Sequence, residues 1–465
     1  MTTLEALRRL QNETKADVYL VGGYPRDTIR NKRNDDLDIV VKGLPIGTVT
    51  TFLKKLGKVK PVTLSQTNDE FAIGIVLFKA SGDETEAQIS LPKRGDLQIA
   101  DKDNTLRQDA RWRDLTINSL YLPIEFRSRR DVLDPLGVAR NDISNRVIRT
   151  YENPMALFEM SPIRILRVMA MAARTGYSID PNLLAVMTSK EALALIQKVP
   201  IDGVRSMLNH ILMSNKPSKY FKLMHKIGML KIVLPELDVA YGSKQDRRYH
   251  KFDVFHHCVY TCDHAPKGLV LRLAALLHDC GKPACREYHP KSGRTTFHKH
   301  EMVGLKICRD CLRRLGYDKA TVKAVGNLVK HHMYHYTSEF TDGAIRRFIN
   351  RVGLTEEDLD DLSKFPLFQL RAAERLGNGL KKNPRTAKQL EFERKIIDVY
   401  RDSTGFTVKD LAIDGEVIME TFGLNAGPIV GKVLGHLLEI VLDDPSTNTK
   451  KKLKARARDY LSTVA

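Results

Sequence analysis

Along the first third of the chain, apolar residues come in short runs at Val18–Val21, Asp38–Val41, Phe71–Leu77 and Gln88–Leu91, bounded by Gly, Asp or Asn. Runs of this length, rich in β-branched residues, predict strands of one sheet with helical patterns between or before them. From about Pro154 the apolar positions recur at helical spacing, as in Ile163, Leu166, Val168–Ala170 and Ala172–Ala173, and they do so almost to the C-terminus. The expected fold class is α+β. A head with a mixed sheet and helices covers 1–150, and an all-helical remainder begins with a neck over 151–240.

Eleven of the fourteen histidines lie between His250 and His335. They set off a histidine-rich helical module, 241–376, from a helical C-terminal region, 377–465. A chain of 465 residues is in any case too long for one core.

Composition narrows the setting. No window approaches the roughly 20 apolar residues of a membrane-spanning helix. The start, MTTLEALRRLQNETKADVYL, lacks the basic and apolar regions of a secretory signal. A cytoplasmic location is expected, with no membrane partner and no obligate protein partner. All six cysteines fall between Cys258 and Cys311, a poor distribution for stapling a long chain, so no disulfides are expected. The net charge of +19 implies attraction to polyanions, nucleic acid first among them. A generally basic, solvated surface would give the same number. The basic segment Thr447–Arg458 reads either as a helix for a phosphate backbone or as a solvated helix face.

Candidate chemistry begins after the first strand. Gly22 and Gly23 allow a sharp turn that brings backbone N–H groups close to a phosphate, and Arg26, beside Asp27, can pair with a triphosphate. Thirteen residues after Gly23, Asp36 and Asp38 flank Leu37 at the start of the next strand. Strand alternation puts both carboxylates on one side of the sheet, where two adjacent anions call for a cation. Mg²⁺ suits such a pair. In a two-metal site the ions activate the attacking hydroxyl and stabilise the departing phosphate, so no protein nucleophile is needed.

These segments, LVGGYPRD at 20–27 and DDLDIVV at 35–41, resemble the head of the class II CCA-adding enzyme and bacterial poly(A) polymerase family, a branch of the polymerase-β-like nucleotidyltransferases. Three further elements follow in the family's order. Arg113–Asn118, RDLTIN, resembles the ribose-recognising element, implying roles for Arg113, Asp114 and Asn118. Asp134–Gly137, DPLG, resembles the element joining head to neck. Arg164 and Arg167, i and i+3 on one helix face, resemble the arginines that read the incoming base.

Two positions depart from the family. The residue that is Asp in its base-reading element is Ser161 here; a neutral hydroxyl holds an exocyclic amine less firmly than a carboxylate, and Glu159 lies nearby. Gln88 stands where many relatives carry an aspartate, with Glu84 and Glu86 close by.

In the middle of the chain, His257, His278, Asp279, His300 and His332 resemble the ligand set of an HD-type metal phosphohydrolase, and Glu374 sits where that family often has a final Asp. Imidazoles and a carboxylate around a divalent ion such as Ni, Mn, Co or Zn lower the pKa of a bound water. Cys308 and Cys311, near His298 and His300, raise an alternative zinc site.

The resemblance implies CTP(ATP):tRNA nucleotidyltransferase activity, with Mg²⁺, CTP, ATP and tRNA as cofactor and partners. Poly(A) tailing of RNA 3′ ends is the runner-up. Of other classes, an HD phosphatase or 2′,3′-cyclic phosphodiesterase with an inactive head draws on Ser161 and Gln88, and a non-catalytic RNA-binding protein draws on charge alone.

Overall fold

The computed structural model describes residues 1–63, 74–94, 97–98, 105–336, 340–402 and 407–464. They form two compact units, Met1–Asn215 with Leu223–Val233, and Lys216–Lys222 with Leu234–Ala465.

The first unit is built on a six-stranded sheet of β1 (Asp17–Val21), β2 (Leu37–Lys42), β3 (Gly57–Thr63), β4 (Gly74–Ala80), β5 (Glu86–Ser90) and β6 (Tyr121–Pro123). The strand order is β3-β4-β5-β2-β1-β6. Only β2 and β5 pair in parallel; the remaining pairs are antiparallel. Of the expected strand Phe71–Leu77, residues 71–73 lie outside the described residues and the rest belongs to β4. Part of the core gathers Val21, Val40, Ala110, Tyr121 and Leu136, so the centre of the sheet is anchored to the segment carrying the ribose-type element.

Helices Pro154–Met160 and Ile163–Thr175 follow the sheet within the same unit. Asn153 starts the first by accepting from the amides of Met155 and Ala156, with Pro154 at the position where a missing N–H costs nothing. Ser161 ends that helix and Pro162 opens the next, so the base-reading element lies at the break between two helices. One face of Ile163–Thr175 buries Ile165, Leu166, Met169 and Ala173, which leaves its arginines on the other side.

The second unit is helical apart from a short hairpin, Glu287–His289 with Arg294–Thr296, that the helical spacing does not reveal. Its helices Val254–His264, Leu269–Leu277, His300–Arg314, Lys319–His331 and Pro366–Gly377 carry the histidine cluster or end at it. The basic tail forms the helix Lys450–Val464, which buries Leu453 and Ala457 and exposes most of its lysines and arginines. No helix among the described residues is long and apolar enough to cross a membrane.

Candidate active sites

In the head, the turn after β1 and the carboxylate in β2 are packed against each other. Gly22 has φ +66°, and a Cβ there would lie 3.0 Å from Asp38 Oδ2. Both the backbone conformation and the neighbouring carboxylate therefore demand glycine. Asp38 is half-buried, and its register partner in parallel β5 is Gln88. Burial pushes the Asp38 carboxyl up; Asp36 and Asp114 add to this, and Arg113 and Arg167 only partly offset it. A carboxylate driven upward by burial and by other carboxylates fits a divalent cation. Asp36 lies just before β2, its side chain 74% exposed, with Arg174 Nη2 3.7 Å from its Oδ2.

A buried polar chain runs from this turn to the neck helix. Arg26, only 1% exposed, binds Asp27 Oδ2 at 2.7 Å and donates to Asn118 Oδ1 at 2.7 Å. Burial would raise the Asp27 carboxyl, but Arg26, Asn34 and Arg30 outweigh it and hold it below its ordinary value. Asn118 donates to Asp114 Oδ1 at 3.4 Å, and Asp114 Oδ2 accepts from Arg167 Nη1 at 3.0 Å. Burial opposes ionisation of Asp114 too, and Arg167 again reverses the direction. Arg113 is committed to buried Asp109, 2.9 Å away, and to the Tyr121 hydroxyl. Arg164 donates to the carbonyls of Trp112 and Leu157 at 3.0 and 3.3 Å, which fixes the start of its helix against the ribose-type element.

In the helical unit, His257, His278, Asp279, His300 and His332 converge, and none is more than 5% exposed. The Nδ1 atoms of His278, His300 and His332 lie 2.9, 2.8 and 2.7 Å from the carbonyls of Ala275, Phe297 and Val329. Donation from Nδ1 to that carbonyl, three residues back, turns Nε2 inward. His278 Nε2 meets His257 Nε2 at 3.2 Å, and His300 Nε2 meets His332 Nε2 at 3.3 Å.

Asp279 lies between the two pairs, with Oδ2 3.2 Å from His278 and Oδ1 3.3 Å from His300. Its Oδ1 is buried without a hydrogen-bond donor. Burial drives the His257 imidazole down to about 3, while the surrounding positive groups hold Asp279 well below the usual carboxylate range despite its burial. The imidazole nitrogens and the Asp279 carboxylate of each triad, His257/His278/Asp279 and Asp279/His300/His332, lie close enough together to hold a divalent metal ion.

The close packing that assembles this cluster depends on Gly281, where a Cβ would fall 2.2 Å from the carbonyl of His300. The cluster opens on a cavity of about 490 Å³ lined by His300, Glu374, Arg248, Lys282, Arg294, Arg371, Arg375 and Lys381. That basic rim suits a phosphorylated ligand.

Comparison with known proteins matches three segments of the chain. Residues 18–149 match the poly A polymerase head domain, 176–241 the probable RNA and SrmB-binding site of polymerase A, and 247–365 the HD domain. Over 342 residues the chain is 30% identical to the A-adding tRNA nucleotidyltransferase of Deinococcus radiodurans, covering 72% of this chain and 75% of that one. The chain belongs to the CCA-adding enzyme and bacterial poly(A) polymerase family.

A second relative, the multifunctional CCA protein of Nitrosococcus oceani, is 28% identical over 72% of this chain and 79% of its own length. The fold is that of the CCA-adding enzyme of Bacillus stearothermophilus in complex with CTP, with a TM-score of 0.66 at 17% identity over 99% of this chain and 97% of that one. Membership makes the chain a nucleotidyltransferase and implies a divalent metal.

The structure redistributes several of the expected roles. Arg26 is no surface grip for a triphosphate: it is sealed inside, neutralised by Asp27 and held by Asn118, and it braces the turn. Arg113 likewise spends its guanidinium on Asp109. Glu374 stands outside both metal triads and pairs with Arg371 at 2.8 Å, since it follows that arginine by one helical turn. The zinc alternative is not supported: Cys308 and Cys311 are buried on one helix, and among the described residues neither group that could hold a metal contains a cysteine. All six cysteines are free. Glu159 is exposed on the helix before Ser161.

Sequence reasoning missed Asp109, Arg174, His250 and Lys282. Lys282 Nζ donates to Asp279 at 2.7 Å, and His250 lies edge-on to His257 with ring centroids 5.3 Å apart. The spacing of Lys282 after Asp279, one helical turn, was the available signal for that pair.

Proposed function

We propose that this chain adds C, C and A to the 3′ end of tRNA, with CTP and ATP as donors and Mg²⁺ held by Asp36 and Asp38. The observation that carries this reading is the meeting of Asp38 with the Gly22 turn on one side and the Arg113–Asp114–Arg167 group on the other. The metal supplies activation of the 3′-hydroxyl and charge neutralisation at the phosphates. The chain's own part is to place the nucleotide: backbone N–H groups of the Gly22–Gly23 turn face the phosphates, Asp114 and Asn118 face the ribose, and Arg164, Arg167 and Ser161 face the base. The relatives named for A addition and for CCA addition support the acceptor and the donors, as does the likeness to a CCA-adding enzyme of Thermotoga maritima complexed with tRNA.

Incubation with Mg²⁺ and labelled CTP or ATP, on tRNAs ending before C, after CC, and on an unrelated RNA, tests the reading. Ordered C, C, A addition confined to tRNA is expected. Addition of A alone, only to tRNA ending in CC, would instead match the A-adding relative, and long A tails on any RNA would mark a poly(A) polymerase.

A second activity is favoured by the two histidine pairs that share Asp279 at the end of a basic cavity. We infer that this site holds Mn, Ni, Co or Zn and hydrolyses phosphate esters at RNA ends. His278→Ala is expected to remove metal-stimulated phosphatase or cyclic phosphodiesterase activity while nucleotide addition persists.

A further inference from the structure

Helix Ile163–Thr175 carries more than the arginine pair at its start. Met171 and Arg174 follow Arg164 by seven and ten residues, close to two and three turns, so they continue the stripe that Arg164 and Arg167 begin. Contacts along the stripe follow in order: Arg167 meets Asp114 at 3.0 Å, the Met171 sulfur meets Arg26 at 3.3 Å, and Arg174 reaches Asp27 at 4.0 Å and Asp36 at 3.7 Å. The helix thus lies along the whole head site, from the ribose-type element to the carboxylate pair.

The two carboxylates of that pair are held differently. Asp38 sits inside β2, its position set by the strand register and the Gly22 turn. Asp36 sits before the strand, and only its backbone is tied, by donation to Asn34 Oδ1 at 2.9 Å. Among the described residues, the cation paired with its side-chain carboxylate is the Arg174 guanidinium, itself 43% exposed. Asp27, the other anion near Arg174, is already paired with Arg26 and Arg30.

We propose that Arg174 is a positioning residue that acts as the resident counter-cation of Asp36: it holds this carboxylate at the site without metal and competes with the divalent ion for it. This rests on the reading of Asp36 and Asp38 as the metal pair. A guanidinium beside the carboxylate repels a divalent ion arriving at the same group, so the ion binds Asp36 more weakly while Arg174 keeps its place.

The test is Mn²⁺ titration of the full chain without nucleotide, followed by the electron paramagnetic resonance of the free ion, counting only the binding component lost in Asp38→Asn. That component is expected to tighten roughly three- to tenfold in Arg174→Met and Arg174→Gln, as loss of one nearby charge implies. It should return to the parent value in Arg174→Lys, and the gain should vanish when Asp36→Asn is already present. Thermal unfolding checks that each variant is folded. Unchanged or weaker Mn²⁺ binding in folded Arg174→Met and Arg174→Gln overturns the proposal while leaving the metal pair intact. Absence of any Asp38-dependent component in the parent overturns both.

Discussion

Asp38 and Gln88 are register partners in the parallel pair of β2 and β5, so the strand position beside the more buried metal-pair carboxylate carries a neutral amide. Residues at paired positions on neighbouring strands share a face of the sheet, and on the proposed reading a carboxylate at 88 would face the same metal, so the proposed site has two acids. Gln88→Ala is expected to keep nucleotide addition within about threefold of the parent, whereas Asp38→Asn should lower it by at least about a hundredfold, the scale on which loss of a transition-state charge partner is felt. Comparable losses in the two variants, measured as kcat/KM for CTP, would show that Gln88 takes part in the chemistry.

The Arg26–Asp27 pair makes a prediction about stability. Both side chains are nearly sealed from solvent, so removing one leaves the other as an uncompensated buried charge. Asp27→Ala should destabilise the first unit by about 3–5 kcal/mol in chemical unfolding. The pH dependence follows from the lowered Asp27 carboxyl: its contribution is fully present above the unfolded value, about pH 4, and is lost as pH falls through the lower folded value. Asp27→Asn should therefore flatten the fall of the unfolding midpoint below pH 4. An acid limb as steep as the parent's would count against this assignment.

Nucleotide choice can be probed at the break between Pro154–Met160 and Ile163–Thr175. Arg164 is aimed by two backbone carbonyls and Ser161 caps the preceding helix beside it. If the hydroxyl reads the base, Ser161→Ala should shift the ratio of CTP to ATP incorporation by about threefold or more, and Ser161→Asp should sharpen it, since a charged acceptor holds an amine more firmly. An unchanged ratio in both variants would place base reading elsewhere.

At the histidine cluster, metal and stability should be linked. An ion that binds only the folded state adds about 2.7 kcal/mol at a hundred times its dissociation constant. Chelation is expected to lower the unfolding temperature of the second unit by several degrees, with recovery on adding Mn²⁺ or Ni²⁺. His278→Ala should have a lower midpoint that no longer responds to chelator. A parent midpoint indifferent to both treatments would speak against a bound ion.

The strands at the centre of the head, the switch to helical spacing near Pro154 and the clustering of histidines are all visible in the sequence. They depend on local periodicity and on residue types whose chemistry is narrow: paired aspartates, a double glycine, histidine beside aspartate. The hairpin Glu287–Thr296 was not visible, because its two strands are three residues each and lack an apolar alternation.

The chain by itself determined the family, and it singled out the carboxylate pair and the histidines to suspect, since those follow from short motifs in a fixed order. Only the tertiary structure decided what each charged group does with its charge. Arg26 reads as a phosphate ligand until Asn118, 92 residues away, is seen to accept its hydrogen bond. Arg174 reads as an ordinary helix-end arginine until Asp36 is seen beside it. An ionic side chain is assigned by its nearest partners and by how much water it keeps, and for residues this far apart in sequence both are set by packing.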